Sequence, residues 1–469
     1  MSMGSEPEGR AQVALARVPG RKEQPEALAR ALHDLLEPLG GLGRLVPRGS
    51  KVLLKPNQTL FKSALSGSTT SPRLIRVLIE HCFAAGAREV WVAESAGHAQ
   101  MTRQVMARTG MAQAVQGTGA HVIYLDEIAH GVYDFGADAG ELRYLPAPEI
   151  LERADVLINV PKAKTHFVDP ISGACKNWVG VMPMATRLYL QRQGDAYYRG
   201  NALYLRRFRP TLNLFDGAVA GQGQGPGQNQ PFWWGHLLAS TDPVAADVML
   251  CRLFGLPWLP LRMAREAAAI GVGLFDPDRI DLLGVPFATA RVSVHAADPG
   301  VHRYPCRVLV GKGATIEGTL GHWKTIADAW LENGLWTLFT ARGRPTFMFG
   351  AVEDPDFEAH LREGPYVVLG DTCLDRYKYD PRVVYVPGWP VPQSYLQQEM
   401  VAGMGFGALY APGLKLYQAG TSLATRLKGA AGRPEQRRAA ARVAGAAALA
   451  VAARLALGRA LGGSRRDGG

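Results

Sequence analysis

Residues 154–183 read "ADVLINVPKAKTHFVDPISGACKNWVGVMP". The first seven residues are mostly apolar, as a strand covered on both faces must be. Pro161 then interrupts the pattern. Behind it come Lys162, Lys164, His166 and Lys176, set among small and apolar residues. A buried strand that delivers cations at its carboxyl end is the pattern of an open α/β sheet, where ligands bind beyond the strand ends.

The flanking sequence repeats that pattern. "AQVALARV", "KVLLKPN", "REVWVAES" and "HVIYLDE" read as strands. "QPEALARALHDLLEPLG", "TTSPRLIRVLIEHCFAAGA" and "TRQVMARTGMAQAVQ" carry helical apolar spacing between them. In the second of these, Ser71 is placed to cap, Pro72 suits the first turn and Gly86 can close the helix. Strands alternating with helices of this length predict an α/β fold, a mostly parallel sheet covered by helices, over residues 1–285. A second α/β region follows at 286–413, with strands expected at "ARVSVHAAD", "CRVLVGK", "PTFMFGA", "YVVLGD" and "RVVYVPG". Helices are expected there at "GHWKTIADAWLENG" and "PVPQSYLQQEMVAGMG". Residues 414–469 form a basic, Ala/Arg-rich tail, helical or disordered.

Charge locates itself in that tail. The chain of 469 residues has a formal charge of +11. From Lys415 onward there are eleven Lys or Arg against two acids, Glu435 and Asp467. The body is therefore nearly neutral, which argues against specific nucleic-acid binding. The run between Arg442 and Arg454 is too short to span a bilayer, which takes roughly 20 apolar residues. Residues 426–469 are open to a peripheral contact with an acidic membrane or partner. The N-terminus lacks the basic start and apolar run of a signal peptide. Five widely spaced cysteines make no CxxC pair and argue against a disulfide framework. The expected location is cytoplasmic, with peripheral attachment at the inner membrane surface as the variant.

The candidate chemistry sits at strand ends. If "KAKTH" stays extended, positions 162, 164 and 166 share a face, because strand side chains alternate. Two ammonium groups and an imidazole would then converge on a phosphate, a carboxylate or a developing oxyanion. Solvated loop lysines would show the same residues, and only the strand-end placement favours the site. Lys176 and Asn177 sit before an apolar run, where an unpaired charge would be costly. "LFDGAVAGQGQGPGQNQPFWWG" follows a strand, and its glycines suit a loop whose backbone approaches a ligand. Neither a dinucleotide fingerprint nor a P-loop is present. The catalytic candidates are His166, Asp216 and Lys176. Lys55, Asn57, Lys162, Lys164, Asn177, Gly223 and Gly225 are the candidates for substrate binding. No metal ligand set is visible. Asp242 and Pro243 suit a helix start, and Asp247 an acid in its first turn. Cys373 and His322 are weaker candidates, the first for nucleophile or metal ligand, the second for a helix cap.

Taken in order, "KVLLKPN", "TTSPRLIRVLI" with "AGAREVWVAES", "ADVLINVPKAKTH", "GACKNWVGVMP", "LNLFDGAVAGQGQGP" and "LLASTDPVAADVM" resemble the DUF362 family, over about residues 10 to 285. The resemblance implies that Lys55, Asn57, Lys162, Lys164, His166, Lys176, Asn177, Asp216, Gly225, Pro226, Asp242 and Asp247 lie on that family's signature segments. It supplies no role for them. Many members of the family carry ferredoxin-like cysteine clusters. This chain has no such run, so an iron–sulfur cluster would need Cys175, Cys306 and Cys373 to meet through folding. Three readings follow. The first is an enzyme holding a small anionic metabolite at the strand carboxyl ends. The second is an iron–sulfur or metal-dependent redox protein. The third is a scaffold docked by its tail.

Overall fold

The computed structural model describes residues 9–98, 100–388 and 399–402, all within one compact unit, Met1–Gly407. The tail, and most of the helix expected at "PVPQSYLQQEMVAGMG", lie outside the described residues.

The strands of the first region are β1 (Ala11–Arg17), β2 (Lys51–Pro56), β3 (Glu89–Glu94), β4 (His121–Tyr124), β5 (His130–Asp134), β6 (Tyr144–Pro148), β7 (Val156–Val160), β8 (Lys162–Lys164), β9 (Leu212–Gln224), β10 (Gln228–Ser240) and β11 (Ile280–Gly284). Nine of them form one sheet in the order β11-β1-β10-β9-β7-β2-β3-β4, with β8 paired to β9 beside that path. Only β10 runs against the others. β5 and β6 make a separate hairpin. The fold is thus the α/β sheet that the alternating pattern predicts.

Both faces of the sheet are covered, which is why its strands read as continuous apolar runs. Val52, Leu54, Val90, Val92, Val156 and Ile158 pack with Leu28, Leu32, Leu74 and Leu78 of the helices Pro25–Leu36 and Pro72–Ala84. Leu53, Trp91, Leu157, Phe215 and Leu238 pack on the other face, against Tyr204 and Val248 of the helices Asp195–Arg207 and Pro243–Leu253.

A smaller sheet follows: β12 (Arg307–Val310), β13 (Thr346–Phe349), β14 (Tyr366–Leu369) and β15 (Val384–Val386), all parallel and paired in chain order. The helix Thr319–Glu332 lies between β12 and β13 in the chain. This is the second α/β region.

Four local expectations are corrected. "TRQVMARTGMAQAVQ" is two helices, because Gly110 takes φ +84 and breaks it after Arg108. "ARVSVHAAD" is no strand. Its backbone is tied to the tip of β9, where Gly223 N donates to His295 O and His295 N to Gln222 Oε1. The glycine-rich stretch is not an open loop either: β9 and β10 form a long hairpin that turns only at 225–227. Ser71 does not cap its helix with its side chain. Its Oγ donates to Glu23 Oε2, while its own N–H donates to Asp216 Oδ2.

Candidate functional site

β2 and β3 place Lys55 and Glu94 at adjacent strand ends. Lys55 Nζ donates to Glu94 Oε1 at 2.7 Å, with the two side chains 1% and 2% exposed. Lys55 also donates to Pro56 O, and Glu94 accepts from the backbone N–H groups of Gln58 and Ser95. Burial lowers the Lys55 ammonium, and Glu94 works against that shift. A Cβ at Gly180 would fall 2.6 Å from Lys55 Nζ and 2.7 Å from Glu94 Oε1, so only glycine lets the 178–181 turn lie on this pair.

Above the pair lies a cavity of about 160 Å³. That is room for on the order of ten waters. Lys55, Asn57, Glu94, His166, Lys176 and Asn177 line it, with Arg187, His98, Gln191 and Tyr197 from the neighbouring segments. Leu60, Phe167, Val168 and Val179 supply apolar wall. Ile316, Glu317, Gly321, His322 and Thr325 of the second region line it as well.

Amide side chains lock its floor. Asn177 Oδ1 accepts from Asn57 Nδ2 at 2.8 Å, and Asn177 Nδ2 donates to Asn159 Oδ1 at 2.8 Å. Asn159 Nδ2 then donates to Asn213 Oδ1 at 2.9 Å, so one amide ladder runs under the site across β7 and β9. Arg187 is buried and donates to the carbonyls of Met182, Ala96, Ser95 and Gly180. It clamps the end of β3 to the 178–182 turn.

Asp247 positions the helix Ala174–Asn177, which carries Lys176 and Asn177. Its carboxylate accepts the N–H groups of Ala174 and Cys175 at the helix start. It lies inside the helix Pro243–Leu253 and caps a different helix, so the expectation of an acid serving its own first turn is corrected. Asp242 does cap its own helix, accepting from Val244 N and Ala245 N. Burial pushes the Asp247 carboxyl up to about 7, and that of Asp169 up to about 6. From about pH 4 to about pH 7 the folded chain therefore keeps protons that the unfolded chain has released, and stability falls as pH rises through that window. Asp247→Asn is expected to flatten the slope, read as the change in urea midpoint between pH 5 and pH 7.5. An unchanged slope would remove Asp247 as its source.

The expected lysine convergence is only partly met. Lys162 lies on the far side of its strand end, where its ammonium donates to Asp216 Oδ2 at 2.7 Å. Both side chains are 0% exposed, and neither lines the cavity. Lys164 is also buried and donates to Asn57 Oδ1, Ser68 O and Pro226 O. Burial, then Lys162 and Lys176, pull its ammonium down to about 7. Its three acceptors are all protein oxygens, so it pins the hairpin tip to the floor. A register shift between Lys162 and Lys164, which pair with Asp216 and Gly221, accompanies these separate destinations. Gly225 lies close against protein backbone, and Gly223 is tied through its N–H to His295 O; neither lines the cavity. A Cβ at Gly225 would meet Thr165 O at 1.9 Å. Lys55, Asn57, His166, Lys176 and Asn177 are the expected site residues that the fold does bring together.

Two of these keep free valences. Lys176 stands over the Tyr197 ring at 5.7 Å from its centroid, and among the described residues no acid or hydrogen-bond acceptor pairs its ammonium. His166 Nδ1 accepts the Val168 N–H at 3.0 Å, so a neutral ring carries its proton on Nε2. Burial, Lys176 and Lys164 hold its pKa well below 6.5, which makes the ring neutral at physiological pH. His166 thus presents an N–H donor.

Sequence reasoning left out Arg187, His98, Gln191 and Glu317. Glu94 stood at a strand end but was not assigned to the site. The cysteines do not meet. Cys175 lies in the main core under Asp247, and Cys373 in the core of the small sheet, its Sγ facing Met348 O and Leu369 O. Burial pushes the Cys373 thiol up to about 11, away from nucleophile chemistry. All five cysteines are buried and unpaired, and among the described residues no group of three or more His, Cys, Asp or Glu is placed to hold a metal. These side chains do not fit an iron–sulfur cluster. His322 lies within the helix Thr319–Glu332 and packs its ring 4.6 Å from that of His98, so it does not serve as the expected cap.

Residues 52–252 match a family model described as "Domain of unknown function (DUF362)". The chain is 29% identical over 252 residues to the thylakoid-associated protein sll1697 of Synechocystis, a match covering 53% of this chain and 76% of the relative. Among solved structures, a Thermotoga maritima protein aligns over 82% of each chain with 11% identity and a TM-score of 0.33. The lactate racemase apoprotein of Thermoanaerobacterium thermosaccharolyticum aligns over 84% of this chain and 90% of its own, with 12% identity and a TM-score of 0.35. Neither structure bears on what this chain does. Among the described residues no helix is long and apolar enough to cross a membrane.

Proposed function

We propose, starting from a chain whose residues 52–252 match the DUF362 family model, that the protein is an enzyme acting on a small anionic metabolite held in the cavity at the carboxyl edge of the main sheet. The observation that carries this reading is Lys176. Lys55 is paired with Glu94 and Arg187 with carbonyls, whereas the Lys176 ammonium lines the cavity outside any ion pair among the described residues, with Asp169 acting on it only through space. A cation partly out of water and without an ion pair favours an anion beside it.

His166 supplies the second contact. A neutral imidazole whose Nδ1 is occupied by a backbone N–H cannot readily take a proton there. It can donate through Nε2 to a carbonyl or to a developing oxyanion, stabilising charge that grows in the transition state. Asn57 and Asn177 hold the floor in register, and Lys55 with Glu94 supports them. Asp216 has no part in this chemistry, because it is fully buried beside Lys162 and does not line the cavity.

The test compares the wild-type chain with Lys176→Met by thermal shift and calorimetry against inorganic phosphate, glycerol phosphate and short carboxylates. Saturable stabilisation by at least one anion, weakened tenfold or more in the variant, is the expected result. Stabilisation that survives in Lys176→Met would remove the reading.

A further inference from the structure

The cavity has two owners. Its floor belongs to residues 52–252, while Ile316, Glu317, Gly321, His322 and Thr325 come from outside the family match. Glu317 is the acid among these five. Its Oε1 accepts from Tyr198 OH and from Arg262 Nη1, the latter at 3.0 Å. Arg262 lies over the Tyr198 ring at 3.9 Å and reaches Asp195 as well, so the carboxylate is held from one side. Its Oε2 accepts from no group among the described residues. The residue is only 7% exposed, and it lines the cavity.

The site therefore carries charge of both signs. Tyr197 packs under Lys176, and its neighbour Tyr198 binds Glu317, with the two rings 5.5 Å apart. An ammonium and an unfilled carboxylate oxygen thus line the same cavity, each in contact with one of two adjacent tyrosines. A ligand that answered Lys176 alone would leave Glu317 Oε2 desolvated without a donor, which is costly for a buried acceptor.

Building on the anion site proposed above, we infer that Glu317 is a specificity-determining residue, and that the metabolite carries a hydrogen-bond donor, hydroxyl or amine, close to its anionic group. Family-matched residues hold the anion, and the second region reads the rest of the molecule. Sites that hydrogen-bond a substrate group discriminate strongly against analogues lacking it, because their own polar atoms are then left unpaired.

Glu317→Gln separates the roles. Tyr198 and Arg262 both need an acceptor, so they retain the amide oxygen and turn the amide NH2 toward the cavity. An acceptor becomes a donor with little change of shape. The probes are propionate, lactate, 3-hydroxypropionate, alanine and β-alanine, titrated into the full-length chain, Glu317→Gln and Lys176→Met. In the wild-type chain at least one hydroxyl- or amine-bearing probe should bind about tenfold or more tighter than propionate. The hydroxy acids and the amino acids distinguish the two donors. Glu317→Gln should erase that ratio while propionate binds as before, and Lys176→Met should weaken every probe. A wild-type ratio near one overturns the assignment even if the variant fails to fold. So does a ratio unchanged in folded Glu317→Gln. Binding that is lost in Lys176→Met while the ratio stays near one leaves the anion site standing and removes only the role of Glu317. If no probe binds the wild-type chain, the role of Glu317 fails, and the anion site falls with it only if the phosphates also fail to bind.

Discussion

Lys162→Met is expected to cost about 3–5 kcal/mol of stability, the penalty for leaving a buried charge without its partner. Lys162 and Asp216 are both 0% exposed. Asp216 would keep only the N–H of Ser71, and its Oδ1 already has no partner. Glu23 makes matters worse. Its carboxyl is raised by burial and by Asp216, and Lys162 is among the groups holding it down. Removing the lysine leaves two carboxylates in one buried pocket. Urea unfolding measures the loss, and Lys162→Met/Asp216→Asn should recover at least half, since the amide oxygen can still accept from Ser71. A single variant within about 1 kcal/mol of wild type would show that the pair is not the anchor between β8, β9 and the helix Pro72–Ala84. Where Lys162→Met stays folded, anion binding should be intact, because the lysine does not line the cavity.

Lys55→Met should be comparably destabilising, about 3–5 kcal/mol, because Glu94 would remain buried with backbone donors only. Its signature differs. Lys55 also donates to Pro56 O and, at 3.4 Å, to Asn177 Oδ1, so its loss loosens the floor. Stability and anion binding should fall together. Lys55→Met/Glu94→Gln should regain stability without regaining binding. Full binding in the single variant would separate the pair from the site.

The sheet was legible because both of its faces are covered: "KVLL", "VWVA" and "VLINV" are apolar without alternation, as strands buried on both sides must be. The small parallel sheet announced itself in the same way at "FMF" and "YVVL". "VSVH" misled, because three alternating residues look like a strand wherever the chain is extended, and only the partner decides. Here the partner is the tip of a hairpin. Gly110 stands inside an otherwise helical pattern, and one glycine does not always end a helix.

The site was legible as a place and less so as an arrangement. Strand ends point to Lys55, Asn57 and His166, and a polar pair before an apolar run points to Lys176 and Asn177. Alternation also pointed to Lys162 and Lys164, but what each ammonium meets depends on β9, whose register no local pattern reveals. Arg187 is hidden within its own short helix, and its burial rests on carbonyls from two other segments, the end of β3 and the 178–182 turn. Glu317 lies more than 130 residues from the lysine whose cavity it shares. No spacing argument could have joined them.

Lys176 carries the account, and the most direct measurement is anion binding by Lys176→Met beside wild type, with the stability of both recorded without ligand. Saturable binding of a small anion by the wild-type chain and a loss of tenfold or more in the variant are expected, with unfolding free energies that agree within about 1 kcal/mol, since a cation without an ion pair should contribute little to the fold. Equal binding in both chains would contradict it. So would a variant that loses binding only because it no longer folds.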